Sequence, residues 1–223
     1  MKTAVIISGG NIEEDFALRF LQEKTYDYWI AADHGLRFLK KHNICPTHIV
    51  GDFDSLPEDS EENTQDLLAE YRNDSKVTVR TFQPEKDWTD TEIAAELALE
   101  LGCTSMDILG ATGTRLDHVM GNIQLLSLVM EKGAQAYLID PHNKIYLKKK
   151  KFQLERQNQW GKYVSLFAYG GPVKGLTLKG MKYPLQDFTL GTVGTRGVSN
   201  EIAEETAEIS FTEGTLLVME TKD

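Results

Sequence analysis

The chain has 223 residues, of which 41% are hydrophobic and 26% charged, and its 34 acidic against 24 basic side chains give a formal net charge of −10. This length can bury a substantial core, in one large domain or two small ones. The acidic excess argues against nonspecific binding to nucleic acid, and no apolar run approaches the roughly 20 residues that cross a bilayer. The two cysteines, Cys45 and Cys103, have neither metal-binding nor redox spacing, which indicates a reducing cytoplasmic compartment.

The first part of the chain alternates short apolar runs with segments of helical spacing. Residues 4–8 and 28–32 have the composition of buried strands, and the first run leads into a glycine turn. A helical pattern over 13–24 separates them, and the second run ends at Asp33, after which another helix begins. Such alternation predicts a parallel sheet with helices on its faces.

The segment from Ile49 to Ser55 is predicted to be a third strand that ends in two carboxylates one residue apart. Residues i and i+2 of an extended chain point to the same side, so Asp52 and Asp54 would project together. The carboxyl ends of parallel strands line the ligand crevice, and Mg²⁺ shared with substrate phosphates would relieve the repulsion between the two groups. The alternative is a polar turn in which Asp54 and Ser55 make turn or capping hydrogen bonds.

The fourth predicted strand, 76–82, is followed by a polar turn and a helix. Thr89 and a glutamate three residues later match a capping box, so the helix is predicted to begin there. The helix dipole by itself accounts for an anion at Asp90, in the first turn. It does not account for the neighbouring charges just upstream, Lys86 and Asp87.

A glycine-bearing turn from Gly110 to His118 follows the fifth predicted strand, 106–109, and leads into a long helix. Backbone N–H groups in such a turn can approach a phosphate closely, but the turn matches neither the P-loop nor the dinucleotide fingerprint. Arg115 could pair with a phosphate through two N–H groups, and a surface contact with Asp117 is the alternative. His118 is predicted to lie on a helix face rather than to act as a base.

The pattern changes after a sixth strand at 136–139, and we place the domain boundary between residues 142 and 143. The lysine run at 148–151 indicates a solvated hairpin or a linker. Beyond it, short alternating runs between glycine- and proline-bearing turns predict a small antiparallel β-domain. These runs lie at 163–168, 173–178, 207–211 and 216–219. The expected organisation is therefore an α/β domain over residues 1–142 and a β-domain over 143–223.

The acidic turns, together with two C-terminal segments, resemble the thiamine pyrophosphokinase family, whose members move a diphosphate from ATP to thiamine and release AMP. The matching segments are Gly51-Asp-Phe-Asp-Ser55, Lys86-Asp-Trp-Thr-Asp-Thr-Glu92, Gly110-Ala-Thr-Gly-Thr-Arg-Leu-Asp-His118, Leu176-Thr-Leu-Lys-Gly-Met-Lys-Tyr-Pro-Leu185 and Gly197-Val-Ser-Asn-Glu201. They occur in order over nearly the whole chain, which makes the resemblance specific. Two positions depart from it, because His34 and Thr114 stand where the family commonly has glycine.

The resemblance implies a Rossmann-like α/β domain that binds ATP and Mg²⁺, a C-terminal β-sandwich, and a homodimer with thiamine sites between its subunits. By the same resemblance, Mg²⁺ would be held by Asp52, Asp54 and Asp90. The phosphate site would include Asp33, Lys86, Asp87, Thr112, Gly113, Arg115 and Asp117. Ser199 and Asn200 would hydrogen-bond the thiamine pyrimidine, which needs a donor and acceptor pair in its pocket.

The implied reaction is attack of the thiamine hydroxyl on the β-phosphorus of ATP, with AMP as the leaving group. Neutralising the triphosphate and positioning the nucleophile would supply most of the catalysis. A carboxylate that does not bind metal, Asp87 or Asp117, could take the hydroxyl proton, and the sequence leaves that choice open.

Two other functions compete with this one. Asp52-Phe-Asp-Ser also resembles the nucleophile motif of haloacid-dehalogenase-like phosphatases, in which Asp52 would form a phosphoaspartate, although those enzymes usually carry it on the first strand. The second competing function is a non-catalytic regulator that binds nucleotide or thiamine. Binding alone would not need so many mutually repelling carboxylates, which argues against this function. Thiamine-dependent release of AMP from ATP separates the three.

Overall fold

Strands and helices alternate through the first part of the chain, as the apolar pattern predicts. The computed structural model describes residues 1–51, 64–81 and 88–223, apart from the side chains of residues 64–67. Its contacts divide it into two units, Met1–Asp140 and Pro141–Asp223.

The first unit is an α/β domain. Its strands are β1 (Lys2–Ile7), β2 (Tyr28–Ala32), β3 (His48–Gly51), β4 (Thr78–Thr81), β5 (Cys103–Leu109) and β6 (Gln135–Ile139). Its helices are α1 (Glu14–Gln22), α2 (Gly35–Lys41), α3 (Thr64–Arg72), α4 (Asp90–Glu100) and α5 (Leu116–Glu131).

Every strand pair in this unit is parallel, in the order β6-β5-β1-β2-β3-β4. The middle of the sheet is the core: Ile6 lies between Ile30 and Ile108, and all three are fully buried. The predicted parallel sheet is therefore confirmed. The strand order reverses between β1 and β5, and open sheets of this kind bind ligands outside the carboxyl ends of the strands at that point.

Helix α4 begins where the capping pattern predicts. Thr89 is its N-cap residue, and the Thr89 side chain accepts a hydrogen bond of 3.2 Å from the backbone N–H of Glu92. This bond satisfies one of the amide groups that the first turn of a helix leaves without a partner. It fixes the start of α4 at Asp90, directly after the cap.

The second unit consists of antiparallel sheets, which confirms the predicted fold class. One sheet has the order β12-β9-β14-β7 and the other β11-β10-β13-β8. The strands are β7 (Asn143–Lys148), β8 (Phe152–Glu155), β9 (Tyr163–Ala168), β10 (Val173–Lys179), β11 (Leu185–Leu190), β12 (Asn200–Glu201), β13 (Thr206–Ser210) and β14 (Leu216–Thr221).

The lysine run lies at the end of β7 and in the link to β8. Since these two strands belong to different sheets, the link is a crossover between sheets and not a hairpin. Within the described ranges, no helix has both the length and the apolar character needed to cross a bilayer.

Candidate active site

A cavity of about 430 Å³ lies at the carboxyl ends of β1, β2 and β5, in the crevice that the strand order predicts. Residues directly after these three strands form part of its wall, and the first turns of α4 and α5 complete it. The lining residues are Ser8, Gly9, Gly10, Asp33, Trp88, Thr89, Asp90, Thr91, Gly110, Ala111, Gly113, Thr114, Arg115, His118 and Asn122.

The cavity gathers several residues that the sequence singled out. Asp33, Asp90, Gly113 and Arg115 line it. Thr112 lies in the same turn as Gly113, and its buried hydroxyl has no hydrogen-bond partner among the described residues. Four predicted site residues lie outside the described residues: Asp52, Asp54, Lys86 and Asp87. Ser199 and Asn200 belong to the second unit.

Two glycine turns form the floor between β1 and β5. The backbone N–H of Gly10 donates to the carbonyl of Gly110 over 2.9 Å, and that of Ser8 donates to Leu109 over 2.8 Å. A Cβ atom on Gly10 would lie 2.3 Å from the Gly110 oxygen. Only glycine allows this approach, so the turns expose backbone rather than side chain to a ligand.

Asp33 holds a left-handed backbone conformation, φ 48°, at the end of β2. Its carboxylate contacts Nδ1 of His34. This hydrogen bond raises the pKa of His34 against the opposing effect of burial, and the charge of Asp90 acts in the same direction as Asp33. Asp90 therefore lies close enough to this pair to interact electrostatically with it.

His34 and Thr114, which stand where the family commonly has glycine, do not adopt a strained left-handed backbone conformation. His34 has φ −59°, in the ordinary helical region, and Thr114 does not have a positive φ. Neither position thus needs the freedom of glycine in this backbone.

Arg115 and Asp117 form the surface contact that was the alternative to phosphate binding. The guanidinium donates from Nε to Oδ1 over 3.2 Å and from Nη2 to Oδ2 over 2.6 Å, and both side chains are exposed. Together with the backbone N–H of His118, Arg115 lowers the pKa of Asp117 to about 2. Because water screens an exposed pair, Arg115 can exchange Asp117 for a phosphate at little cost. The low pKa makes Asp117 a weak proton acceptor.

The donor chemistry of the cavity fits Mg²⁺. Asp33 and Asp90 offer carboxylate oxygens, and Mg²⁺ is usually bound by one or two carboxylates together with substrate phosphates and water. In the part of the chain that the structure describes, no cluster of three or more His, Cys, Asp or Glu side chains forms a complete metal site. The set Asp52, Asp54 and Asp90 stays a prediction.

Asn200 serves the architecture of the second unit. Its side-chain oxygen accepts from the backbone N–H of Tyr183 at 3.0 Å and of Glu201 at 2.9 Å, and its nitrogen donates to the Tyr183 carbonyl at 2.8 Å. Ser199 has a left-handed φ of 57°, and its N–H donates to Ser165 Oγ at 3.0 Å. Binding of a thiamine pyrimidine by Ser199 and Asn200 stays a prediction.

Several lining residues were missed by the sequence interpretation, notably Ser8, Trp88, Thr91 and Asn122. The glycine turn after β1 was a visible signal for Ser8. Asn122 is buried in α5, where its amide donates to the Ala111 carbonyl over 2.9 Å. A helical pattern gives no sign that this residue faces a cavity.

Comparison with known proteins supports the resemblance along both units. The model of the thiamin pyrophosphokinase catalytic domain matches residues 21–138, and the model of the thiamin pyrophosphokinase vitamin B1 binding domain matches residues 149–216. The thiamine pyrophosphokinase of Bacillus subtilis (strain 168) is 31% identical over 226 residues, which span 100% of both chains.

Solved structures give the same picture. The crystal structure of thiamine pyrophosphokinase from Bacillus subtilis has a TM-score of 0.84 at 30% identity and covers 100% of both chains. That of thiamin pyrophosphokinase from Geobacillus thermodenitrificans has a TM-score of 0.80 at 29% identity, over 100% of this chain and 98% of that one. The yeast thiamin pyrophosphokinase, at 19% identity and a TM-score of 0.79, shares the fold.

Proposed function

Because the chain belongs to the thiamine pyrophosphokinase family, we propose that it transfers a diphosphate from ATP to the hydroxyl of thiamine and releases AMP. The observation that carries this proposal is the acidic, glycine-floored cavity at the reversal of strand order, inside the segment that matches the catalytic domain. The family match extends through the second unit, which favours neither the phosphatase nor the regulator.

In the proposed reaction the thiamine hydroxyl oxygen forms a bond to the β-phosphorus, and the bond from that phosphorus to the α–β bridging oxygen breaks. AMP takes the electron pair of the broken bond, and the hydroxyl proton passes to a base. The N–H groups of Ser8 and Gly10 already bond to the carbonyls of Leu109 and Gly110, so other N–H groups of the glycine turns would bind the phosphates, while Arg115 would neutralise developing charge. These contributions are positioning and electrostatics, which dominate phosphoryl transfer.

We propose Mg²⁺ as the cofactor, held by Asp52, Asp54 and Asp90 together with the triphosphate. When bound, it would neutralise phosphate charge. Thiamine is itself a cation, so an acidic cavity suits this substrate as well. Asp87 and Asp117 are the two carboxylates considered as the proton acceptor. Arg115 holds the pKa of Asp117 at about 2 while the two are paired, and this restraint is lost when Arg115 binds a phosphate instead, so both carboxylates stay candidates.

We also propose a cytoplasmic homodimer. Cys45 and Cys103 are both free thiols without metal-binding or redox spacing, which supports the compartment. In the second unit Tyr183, Val193 and Val198 are exposed apolar side chains, which a partner subunit would cover. Light scattering in dilute solution tests the assembly: we expect about twice the 25.1 kDa of one chain, and a mass near 25.1 kDa would contradict the dimer.

The products decide the reaction. Purified protein is incubated with ATP, Mg²⁺ and thiamine, and nucleotides and thiamine phosphates are separated by chromatography, with a reaction lacking thiamine as the control. We expect AMP and thiamine diphosphate in equal amounts. ADP with thiamine monophosphate would indicate attack on the γ-phosphorus and an ordinary kinase, whereas turnover that does not depend on thiamine would favour a phosphatase.

A further inference from the structure

A buried hydrogen bond between two hydroxyl groups lies in the cavity wall. Ser8 Oγ and Thr91 Oγ1 are 2.6 Å apart, although the residues are separated by 83 positions in the chain. The two residues are only 6% and 7% exposed. Both line the cavity, Ser8 directly after β1 and Thr91 in the first turn of α4.

The Ser8 side of this bond is fixed by the sheet. The Ser8 backbone N–H bonds to the carbonyl of Leu109, at the end of the neighbouring strand β5. Two residues later, Gly10 bonds to Gly110 in the same way. The hydroxyl of Ser8 therefore projects from a backbone that two strands hold in place.

The Thr91 side carries the residues that matter for the proposed chemistry. Thr91 directly follows Asp90, the proposed Mg²⁺ ligand, and Thr89 caps the same turn. Apolar side chains could fill the space of Ser8 and Thr91 without any polar group, whereas a buried hydroxyl is unfavourable unless it is hydrogen-bonded. Unlike an apolar contact, a hydrogen bond restrains direction and distance.

We propose that the Ser8–Thr91 hydrogen bond is a positioning contact that sets Asp90 for binding of Mg²⁺ with ATP. Mg²⁺ demands near-ideal octahedral geometry. Removing a contact that orients a metal-binding residue typically weakens metal binding by about 10–100-fold. This inference rests on the proposed function, which identifies Mg²⁺ with ATP as the species that Asp90 binds. Ser8 and Thr91 act through Asp90 and are not catalytic residues.

Three variants separate positioning from simple stability. Thr91→Val keeps the shape of the side chain and removes the hydroxyl, whereas Thr91→Ser keeps the hydroxyl. The double variant Ser8→Ala/Thr91→Val removes both hydroxyls, so neither is left buried without a partner. The measurements are thermal unfolding, the Mg²⁺ concentration for half-maximal rate, and equilibrium binding of ATP with Mg²⁺ by calorimetry in the absence of thiamine.

We expect Thr91→Val to raise the half-saturating Mg²⁺ concentration and to weaken ATP binding in Mg²⁺ by about tenfold, and Thr91→Ser to stay near wild type. In the double variant the unfolding temperature should recover toward wild type while the Mg²⁺ requirement stays raised. If Mg²⁺ dependence and stability recover together, or if Thr91→Val changes stability alone, the positioning role is wrong. Calorimetry keeps this outcome distinct from a failure of the proposed function, which would appear as absent thiamine-dependent AMP release by the wild-type protein.

Discussion

Replacing Asp90 by asparagine is expected to lower kcat at least about a hundredfold, the scale of one lost electrostatic group in an active site. Asparagine has nearly the same shape and keeps an oxygen, but it lacks the negative charge that a Mg²⁺ ligand supplies. Asp90 is the first residue of α4 and lines the cavity. The fold should persist, because Thr89 provides the cap of this helix and apolar residues such as Ile93 anchor it in the core.

Glu92→Gln is the matched control for Asp90→Asn. Glu92 lies in the same first turn and carries the same charge, but it does not belong to the cavity lining. Both variants lose a negative charge near the positive end of the helix dipole. Burial and the neighbouring Glu96 raise the pKa of Glu92, so the stability of each variant is measured beside its turnover. Turnover is compared with circular dichroism and thermal unfolding for each variant. Near-normal activity of a folded Asp90→Asn protein would remove Asp90 from the Mg²⁺ set.

The same reasoning applies to Asp52→Asn and Asp54→Asn, for which a loss of at least about a hundredfold is expected in each case. Both residues lie outside the described ranges, so their role depends on the sequence and the family. If both variants kept near-normal turnover, the central acidic pair would not belong to the site.

The periodicity of the sequence was sufficient to predict the α/β domain, because its strands are buried on both sides. Ile6, Ile30 and Ile49 come from continuous apolar runs, which is the pattern of a covered parallel sheet. The cap at Thr89 was also predictable, since threonine and glutamate at this spacing have a local structural meaning.

The second unit was harder to resolve into strands. The alternation predicted four of its strands but missed β7, β8, β11 and β12. In β7 and β11 the apolar positions are flanked by Asn, Lys, Gln or Asp, so the period is hard to distinguish from a loop. In addition, β12 is only two residues long and depends on pairing with β9 rather than on its own composition.

Contacts between distant segments were beyond prediction from local pattern. The acidic and glycine-rich turns could be assigned to one edge of the sheet because parallel strands place their carboxyl ends together. The Ser8–Thr91 bond and the approach of Gly10 to Gly110 depend on how separate turns meet. No spacing within one segment encodes them, and an alternation of apolar residues carries no information on backbone separation.

A second large effect is expected from Gly35→Ala, at the start of α2 and two residues after Asp33. A Cβ atom at this position would lie 1.9 Å from the carbonyl oxygen of Ile7, the last residue of β1, and 2.6 Å from its carbonyl carbon. Both atoms belong to the backbone of a strand in the sheet core, so neither can move aside without displacing the strand. Overpacking of this kind costs at least about 2 kcal/mol, which corresponds to a fall in Tm of roughly 4–8 °C for a chain of this size.

Gly121→Ala is the control, because it makes the same change of one methyl group in open space. Gly121 lies inside α5, is exposed and has no positive φ. Apart from the adjacent residues and the nearby backbone of α5 itself, a Cβ atom there would lie within 4 Å of no atom of the described residues. Alanine there should stabilise the helix by roughly 0.5–1 kcal/mol. Thermal unfolding of both variants is followed by circular dichroism, and opposite shifts in Tm are expected. The Leu36 N–H donates to the Asp33 carbonyl, so a displaced α2 should also move Asp33 and lower the turnover of Gly35→Ala. An unchanged Tm in this variant would show that α2 can shift away from β1 at little cost.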